Sequence, residues 1–314
     1  MKRRDFSLSI LIVNWNTRES LAGCLASLAE SAEDLRFQTI VVDNDSEDGS
    51  EAMLERSFPW VTCIPAKRNL GYGAGVNLAI RRAGTPLLLL LNPDVIAGKG
   101  AIRKLVDYMG ENDGIGVAGG ILVGEDGRSQ MEDYYVPFPT LSSALLHYSR
   151  GSVLAGLFQI TPERFTDRSV RQVPGACLLT RREVLEGVGP FDEGFFIWFE
   201  DVDWCYRSYR RGYGLGVCEE ALFTHAGGKS FEPISTETRR KWYYRSMLRF
   251  FRKHRGRLAW ATLAGFILTE EALVMTISGA IGLVWGPRRE TMLARSRRAW
   301  SFFSFMRREI KANS

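Results

Sequence analysis

Leu8-Ser9-Ile10-Leu11-Ile12-Val13-Asn14-Trp15-Asn16 decides the fold. An apolar, β-branched run broken only by Ser9 stops abruptly at polar residues. A run this short and this apolar reads as a buried parallel strand. The basic start Met1-Lys2-Arg3-Arg4 imitates a secretory leader. The apolar stretch is too short for one and lacks a small-residue cleavage site. Thr17 then caps a helix through about Glu30, with Leu21, Leu25 and Leu28 on one face. The pattern repeats. Thr39–Asp43, Val61–Ile64 and Leu87–Leu91 read as strands; Gly49–Arg56, a segment ending near Arg82, and Lys99–Met109 read as helices. Short apolar strands alternating with helices predict an α/β fold with a largely parallel sheet.

Further along, residues 115–133 read as strands around the turn Glu125-Asp126-Gly127. Asp133 to about Arg171 has weak periodicity and several breakers, as expected of a lid or acceptor loop. Gln172–Thr180 is apolar again. A helix starts near Glu200, and Leu215–Val217 and Leu222–Thr224 read as late strands.

The chain has 314 residues, 45% of them hydrophobic, enough for one large domain or a domain with an appendage. Its five cysteines are scattered with no CxxC pair, so neither a disulfide framework nor a zinc site is indicated, and a reducing cytosol fits. The net charge of +5 hides an asymmetry. Arg239–Ser314 carries 17 Lys and Arg against four Asp and Glu, while the rest is acidic. The expected division is a body over 1–232 and a helical, basic extension over 233–314. A basic tail on an acidic body suits an anionic partner. No nucleic-acid motif accompanies it, so an anionic membrane surface is the expected partner and nucleic acid is not. Leu258–Trp285 is apolar and long enough to cross a bilayer. Glu270-Glu271 in its middle argue against that, at roughly 2.5–3.5 kcal/mol for an acidic residue at a helix centre. A packed helical hairpin, a homodimer contact and an interfacial helix remain.

Ligands of open α/β sheets bind beyond the carboxyl ends of the strands. That rule brings Asn14, Asp43, Asn69 and Asp94 together, although each alone is also an ordinary turn residue. The glycine fingerprint of a nicotinamide-binding fold is absent after the first strand, which argues against an oxidoreductase. Gly71, Gly73 and Gly75 begin a later helix, where a backbone can approach a diphosphate. Asn92-Pro93-Asp94 ends a leucine run, and Pro93 stops the strand there. One carboxylate with diphosphate oxygens and water suits Mg2+ or Mn2+. His225 is a candidate second ligand, favouring Mn2+; its alternative is a histidine satisfied by hydrogen bonds.

Gly194–Arg207, GFFIWFEDVDWCYR, runs from aromatics into carboxylates and a cation. Asp203 and Arg207 are four apart, neighbours on one helix face. Asp201 lies about 160° round that helix, so the two carboxylates do different jobs. A helix N-terminus favours an ionised Asp201, able to take a proton. An acidic first turn with no further role is the alternative.

The ordered set LSILIVNWN, IVVDNDSEDGS, RNLGYGAGVN, LLLNPDV, GACLLTRREVLEGVGPFDEGFFIWFEDVDWCYR and HAGGKS resembles family 2 glycosyltransferases of the rhamnosyltransferase type, over about residues 7–230. The resemblance implies a GT-A fold, a nucleotide-sugar donor, a divalent metal and inversion at the anomeric carbon. By the same resemblance, Asp201 is the catalytic base. Asn14, Asn16, Asp43, Arg68, Asn69, Gly71 and Asn92 serve the donor, with Asp43 at the nucleotide base. Asp94 and His225 hold the metal. Trp198 and Glu200, beside Asp201 in sequence, are the acceptor candidates, with core packing as the alternative for Trp198. Asn92 departs from the usual Asp of a DxD motif, which weakens the metal site. The NPD form points to dTDP-rhamnose; UDP-galactose, UDP-galactofuranose or UDP-N-acetylglucosamine are alternative donors. The expected acceptor is a saccharide, free or linked to polyprenyl diphosphate, in cell-surface polysaccharide synthesis, with the enzyme peripheral on the cytoplasmic membrane face. A non-catalytic nucleotide-sugar-binding or scaffold protein is the reading of another class.

Overall fold

A computed structural model describes residues 7–131, 137–149, 172–227, 234–284 and 289–313. The chain divides into two compact units, Met1–Phe138 with Asp167–Pro233, and Pro139–Thr166 with Ile234–Ser314.

The first unit is built on eight strands: β1 (Leu8–Asn14), β2 (Phe37–Asp43), β3 (Thr62–Pro65), β4 (Leu87–Leu91), β5 (Val95–Ala97), β6 (Ile115–Val123), β7 (Cys177–Arg181) and β8 (Gly214–His225). They form one sheet in the order β3-β2-β1-β4-β7-β6-β8-β5. The pairs β1–β2, β1–β4, β2–β3 and β6–β8 are parallel; the other three pairs are antiparallel. Every residue of β1 is buried, as its apolar run requires. Ser9 is satisfied inside by Thr85 Oγ1 at 2.6 Å and Gln38 Nε2 at 2.7 Å, since an unpaired buried hydroxyl is costly. Helices α1 (Arg18–Ala32), α2 (Ser50–Ser57), α3 (Tyr72–Arg82) and α4 (Ala101–Glu111) connect the early strands.

Two features place the site. The register sets Asn14 opposite Asp43 at the carboxyl ends of β1 and β2. β7 runs antiparallel between β4 and β6. That brings Ala176 to the end of β4, where its carbonyl accepts from Asn92 N at 3.1 Å. After β7 come α6 (Arg182–Val188) and α7 (Glu200–Arg210). The two expected late strands are one, β8. Its pairing with β6 jumps from Gly120–Cys218 to Ile121–Leu222, so Glu219 to Ala221 bulge out and break the apolar pattern.

The second unit contains α5 (Leu141–Ser149), α8 (Thr236–His254), α9 (Gly256–Val284) and α10 (Arg289–Asn313). The expected lid at Asp133–Arg171 thus includes a helix; its remainder from 150 onward, and 132–136, lie outside the described residues. Ser235 caps α8, its hydroxyl accepting from Thr238 N at 3.2 Å. α9 is one continuous helix packed on α10, α8 and α5. Glu270 and Glu271 are buried on its inner side. Arg240 of α8 pairs with Glu271 and lies over the Phe302 ring at 3.8 Å. The acidic pair therefore faces protein and leaves the outer side of α9 beyond Arg257 uncharged, including Leu258, Leu273, Ile277, Leu283 and Val284.

Candidate active site

Asparagine and aspartate side chains at the sheet's edge hold the loops to one another. Asn14 Nδ2 donates to Asp43 Oδ2 at 2.9 Å, and Asp43 Oδ1 accepts from Ser46 N at 2.8 Å. Both residues are fully buried. Asn16, at φ 52°, accepts on Oδ1 from Glu47 N at 2.8 Å. Asn44 then joins the β2 and β3 loops: its Nδ2 donates to Asn69 Oδ1 at 3.0 Å and its Oδ1 accepts from Leu70 N at 2.9 Å. Asn69 Oδ1 also accepts from Gly71 N at 2.9 Å. Arg68 is exposed next to this clasp. Asn44 gave no separate signal in the sequence, being one of four polar residues in Asp43-Asn44-Asp45-Ser46.

Close packing accounts for two of the glycines at the start of α3. Gly71 has φ +84°, and a side-chain carbon there would lie 2.3 Å from the carbonyl oxygen of Phe196. At Gly75 it would lie 2.7 Å from Val13. Tyr72 N donates to that same Phe196 oxygen at 2.9 Å. Asn77 of α3 donates to Phe191 O at 2.9 Å and accepts from Phe191 N at 3.0 Å. The α3 segment and the aromatic turn before α7 are therefore one joined wall.

Asp94 and His225 lie side by side. They are buried, with Asp94 Oδ1 3.5 Å from His225 Nε2. Gln130 fixes the imidazole from behind: its Oε1 lies 3.0 Å from Nδ1 and its Nε2 donates to His225 O at 3.0 Å. This leaves Nε2 directed at the carboxylate, the arrangement in which an outer partner orients a metal-binding histidine. One carboxylate and one imidazole fit a divalent ion completed by substrate oxygens and water. Among the described residues no group of three His, Cys, Asp or Glu side chains stands ready to hold a metal unaided. Gln130 was missed because a lone glutamine in a turn has no local pattern. Asn92 is half-buried beside this pair, and Cys24 Sγ contacts its carbonyl at 3.7 Å.

The turn into α7 departs from common backbone geometry. Trp198 and Phe199 both have positive φ, 59° and 67°, which bulky residues rarely adopt. Phe199 is buried in the core, while Phe196 and Trp198 are half-buried. Asp201 is held at both carboxylate oxygens. Oδ2 accepts from Gly175 N at 2.8 Å and Oδ1 from Val202 N at 2.7 Å. Burial nevertheless raises its pKa, against these two hydrogen bonds. Helix position alone does not keep Asp201 low, because desolvation dominates. Glu200 is pushed well above its usual range by burial and then by Asp201, and Oε2 has no hydrogen-bond partner among the described residues. The Tyr72 hydroxyl lies in the field of Glu200, Asp201 and Asp94 together. All three carboxylates thus lie around one phenol. Asp203 faces away, bonded to Arg207 Nε at 2.8 Å.

Residues 9–189 match the family model described as Glycosyl transferase family 2. An N-acetylglucosaminyl-diphospho-decaprenol L-rhamnosyltransferase of Mycobacterium tuberculosis is 30% identical over 226 residues, 66% of this chain and 71% of that protein. The dTDP-rhamnosyl transferase RfbF of Shigella flexneri is 24% identical over 240 residues, 73% and 76% of the two chains. Among solved structures, the mannosyltransferase PcManGT of Pyrobaculum calidifontis, in complex with GDP-Man and Mn2+, superposes with a TM-score of 0.55 at 16% identity. The match covers 95% of this chain and 87% of that one, and it supports the GT-A fold.

Proposed function

Because the chain belongs to glycosyl transferase family 2, we propose that it transfers L-rhamnose from dTDP-rhamnose, with inversion, to a hydroxyl of a lipid-linked saccharide in cell-surface polysaccharide synthesis. The observation that carries this reading is Asp201: a carboxylate fixed by two backbone amides and lying, like Asp94, close to the Tyr72 phenol. The rhamnosyltransferase relatives support the sugar, and the mycobacterial one supports a polyprenyl-diphosphate acceptor.

In this mechanism the acceptor hydroxyl lies against Asp201, with Trp198 as a platform for its sugar and Glu200 beside it. Burial and then Asp201 push the Glu200 carboxyl well above its usual range. As the acceptor oxygen bonds to the anomeric carbon, its proton passes to Asp201. The bond from that carbon to the diphosphate oxygen breaks, and the electron pair leaves with the diphosphate. Attack opposite the leaving group inverts the configuration. Asn14, Asn16, Asp43, Arg68, Asn69, Gly71 and Asn92 form the donor side. Asp94 and His225 would hold Mg2+ or Mn2+, whose charge offsets that of the leaving diphosphate when bound.

Thermal-shift titration against dTDP-rhamnose, UDP-galactose, UDP-N-acetylglucosamine and GDP-mannose, each with and without Mn2+, tests the donor. The largest upward shift belongs to dTDP-rhamnose with Mn2+, and Asp94→Asn loses the Mn2+ increment. A larger shift with a UDP-sugar rejects the rhamnose assignment.

The second unit supports a peripheral position on the cytoplasmic leaflet. Beyond Arg257, α9 presents an uncharged outer side; Arg249, Lys253 and Arg257 lie exposed at one end, with Arg289, Arg295, Arg297 and Arg298 exposed on α10. Each basic residue near an anionic leaflet contributes on the order of 1 kcal/mol. The protein should float with vesicles containing phosphatidylglycerol, release with rising salt, and lose binding in Leu258→Glu/Leu283→Glu. Equal flotation with neutral phosphatidylcholine vesicles, or none with either, contradicts this placement.

A further inference from the structure

We infer that Tyr72 is the positioning residue for the base: its hydroxyl fixes Gly175, and Gly175 fixes Asp201. The inference rests on the proposed role of Asp201. Tyr72 Oη donates to Gly175 O at 2.8 Å, and Gly175 N donates to Asp201 Oδ2 at 2.8 Å. Gly175 is clamped between the two side chains. A carbon added to it would lie 3.3 Å from the Tyr72 ring, 3.4 Å from its hydroxyl and 3.5 Å from Asp201 Cβ. The rest of its loop is tied to the frame by Cys177 N to Pro174 O at 3.1 Å and by Asn92 N to Ala176 O at 3.1 Å. The segment that meets Asp201 is thus fixed on one side to the loop carrying Asp94 and on the other to Tyr72.

Tyr72 is itself held at its backbone. It opens α3 directly after Gly71, whose close approach to Phe196 seats the tyrosine against the aromatic turn. Burial, then Glu200, Asp201 and Asp94, push the phenol well above its ordinary range. The same shift favours the protonated phenol, the form that donates to Gly175 O. A phenol placed among three carboxylates and bonded to none of them, but to a backbone carbonyl, is used for geometry. Hydrogen bonds to the ionised form favour it, so the Gly175 amide also holds down a pKa that burial raises. The titratable groups that feel the Asp201 charge are Glu200, Tyr72 and the buried Cys205 thiol.

Tyr72→Phe removes one oxygen and leaves the ring. Misplacement of a reacting group by about 1 Å can cost about 100-fold, so kcat should fall by about 10- to 100-fold while donor KM stays within about twofold. The acid limb of the rate profile should move to higher pH as the Gly175 bond to the carboxylate loosens. Gly175→Ala, at a position without positive φ, presses on Tyr72 and should give the same signature; it serves if Tyr72→Phe folds poorly. In the Asp201→Asn background, Tyr72→Phe should add nothing, because residues acting as a unit are non-additive. An unchanged kcat and acid limb in both variants, or a loss that adds fully to that of Asp201→Asn, overturns the positioning role alone. Full activity in Asp201→Asn itself removes the base assignment and this inference with it.

Discussion

Asp201→Asn is expected to lower sugar transfer by about 10²–10⁴-fold, the usual loss when a general base is removed. Donor binding should persist, because no contact of the donor-side clasp involves Asp201. The amide oxygen still accepts one of the two backbone donors, from Gly175 or Val202. The other donor is left unpaired at a cost of about 1–3 kcal/mol, small enough for the fold to survive. Single-turnover transfer measured beside donor titration separates the two effects. The pH profile adds a sign check. The base must be ionised to accept a proton, and burial raises its pKa. Wild-type activity should therefore fall on the acid side at a pH above the ordinary aspartate range, and the variant should lose that limb altogether.

Asp203→Asn, two residues away, should do the opposite: it destabilises the protein by about 3 kcal/mol and leaves the turnover of folded molecules within a few-fold of wild type. Asp203 is fully buried and Arg207 half-buried. The guanidinium also donates to Val188 O at 2.9 Å and Pro190 O at 2.8 Å, so it pins α7 to the turn after α6. Neutralising the carboxylate leaves that cation without its counter-charge inside the protein. The penalty sits at the low end for broken buried pairs because asparagine keeps one hydrogen bond. Thermal denaturation read beside activity per folded molecule distinguishes the cases. A stable Asp203→Asn with lost turnover would reverse the roles of the two aspartates.

The first half of the sheet was legible because its information is local. Leu8–Val13 and Leu87–Leu91 are apolar on both faces and bury as read. Polar residues stop each strand at the edge where the cleft forms. The i,i+4 pairing of Asp203 with Arg207 was equally local. What escaped depends on partners far along the chain. β5 is three residues long and exists through its pairing with β8, some 130 positions later. β8 looked like two strands because its bulge interrupts the alternation. Asn44, Gln130 and Tyr72 carry no pattern of their own; their roles come from Asn69, His225 and Gly175, brought to them by the fold. The glutamates of α9 show the same limit. In sequence they sit in the middle of an apolar run; in the structure they turn inward, where α8 supplies Arg240.

The seat of Gly71 on the Phe196 carbonyl bears on how such enzymes can be recombined. Backbone interlocks with backbone there, and no side chain can flex to absorb a mismatch. A hybrid made by splicing the front of one relative to the rear of another inherits a faulty joint unless both segments descend from the same parent. Crossovers placed between positions 71 and 196 therefore separate two pieces that have to be exchanged together.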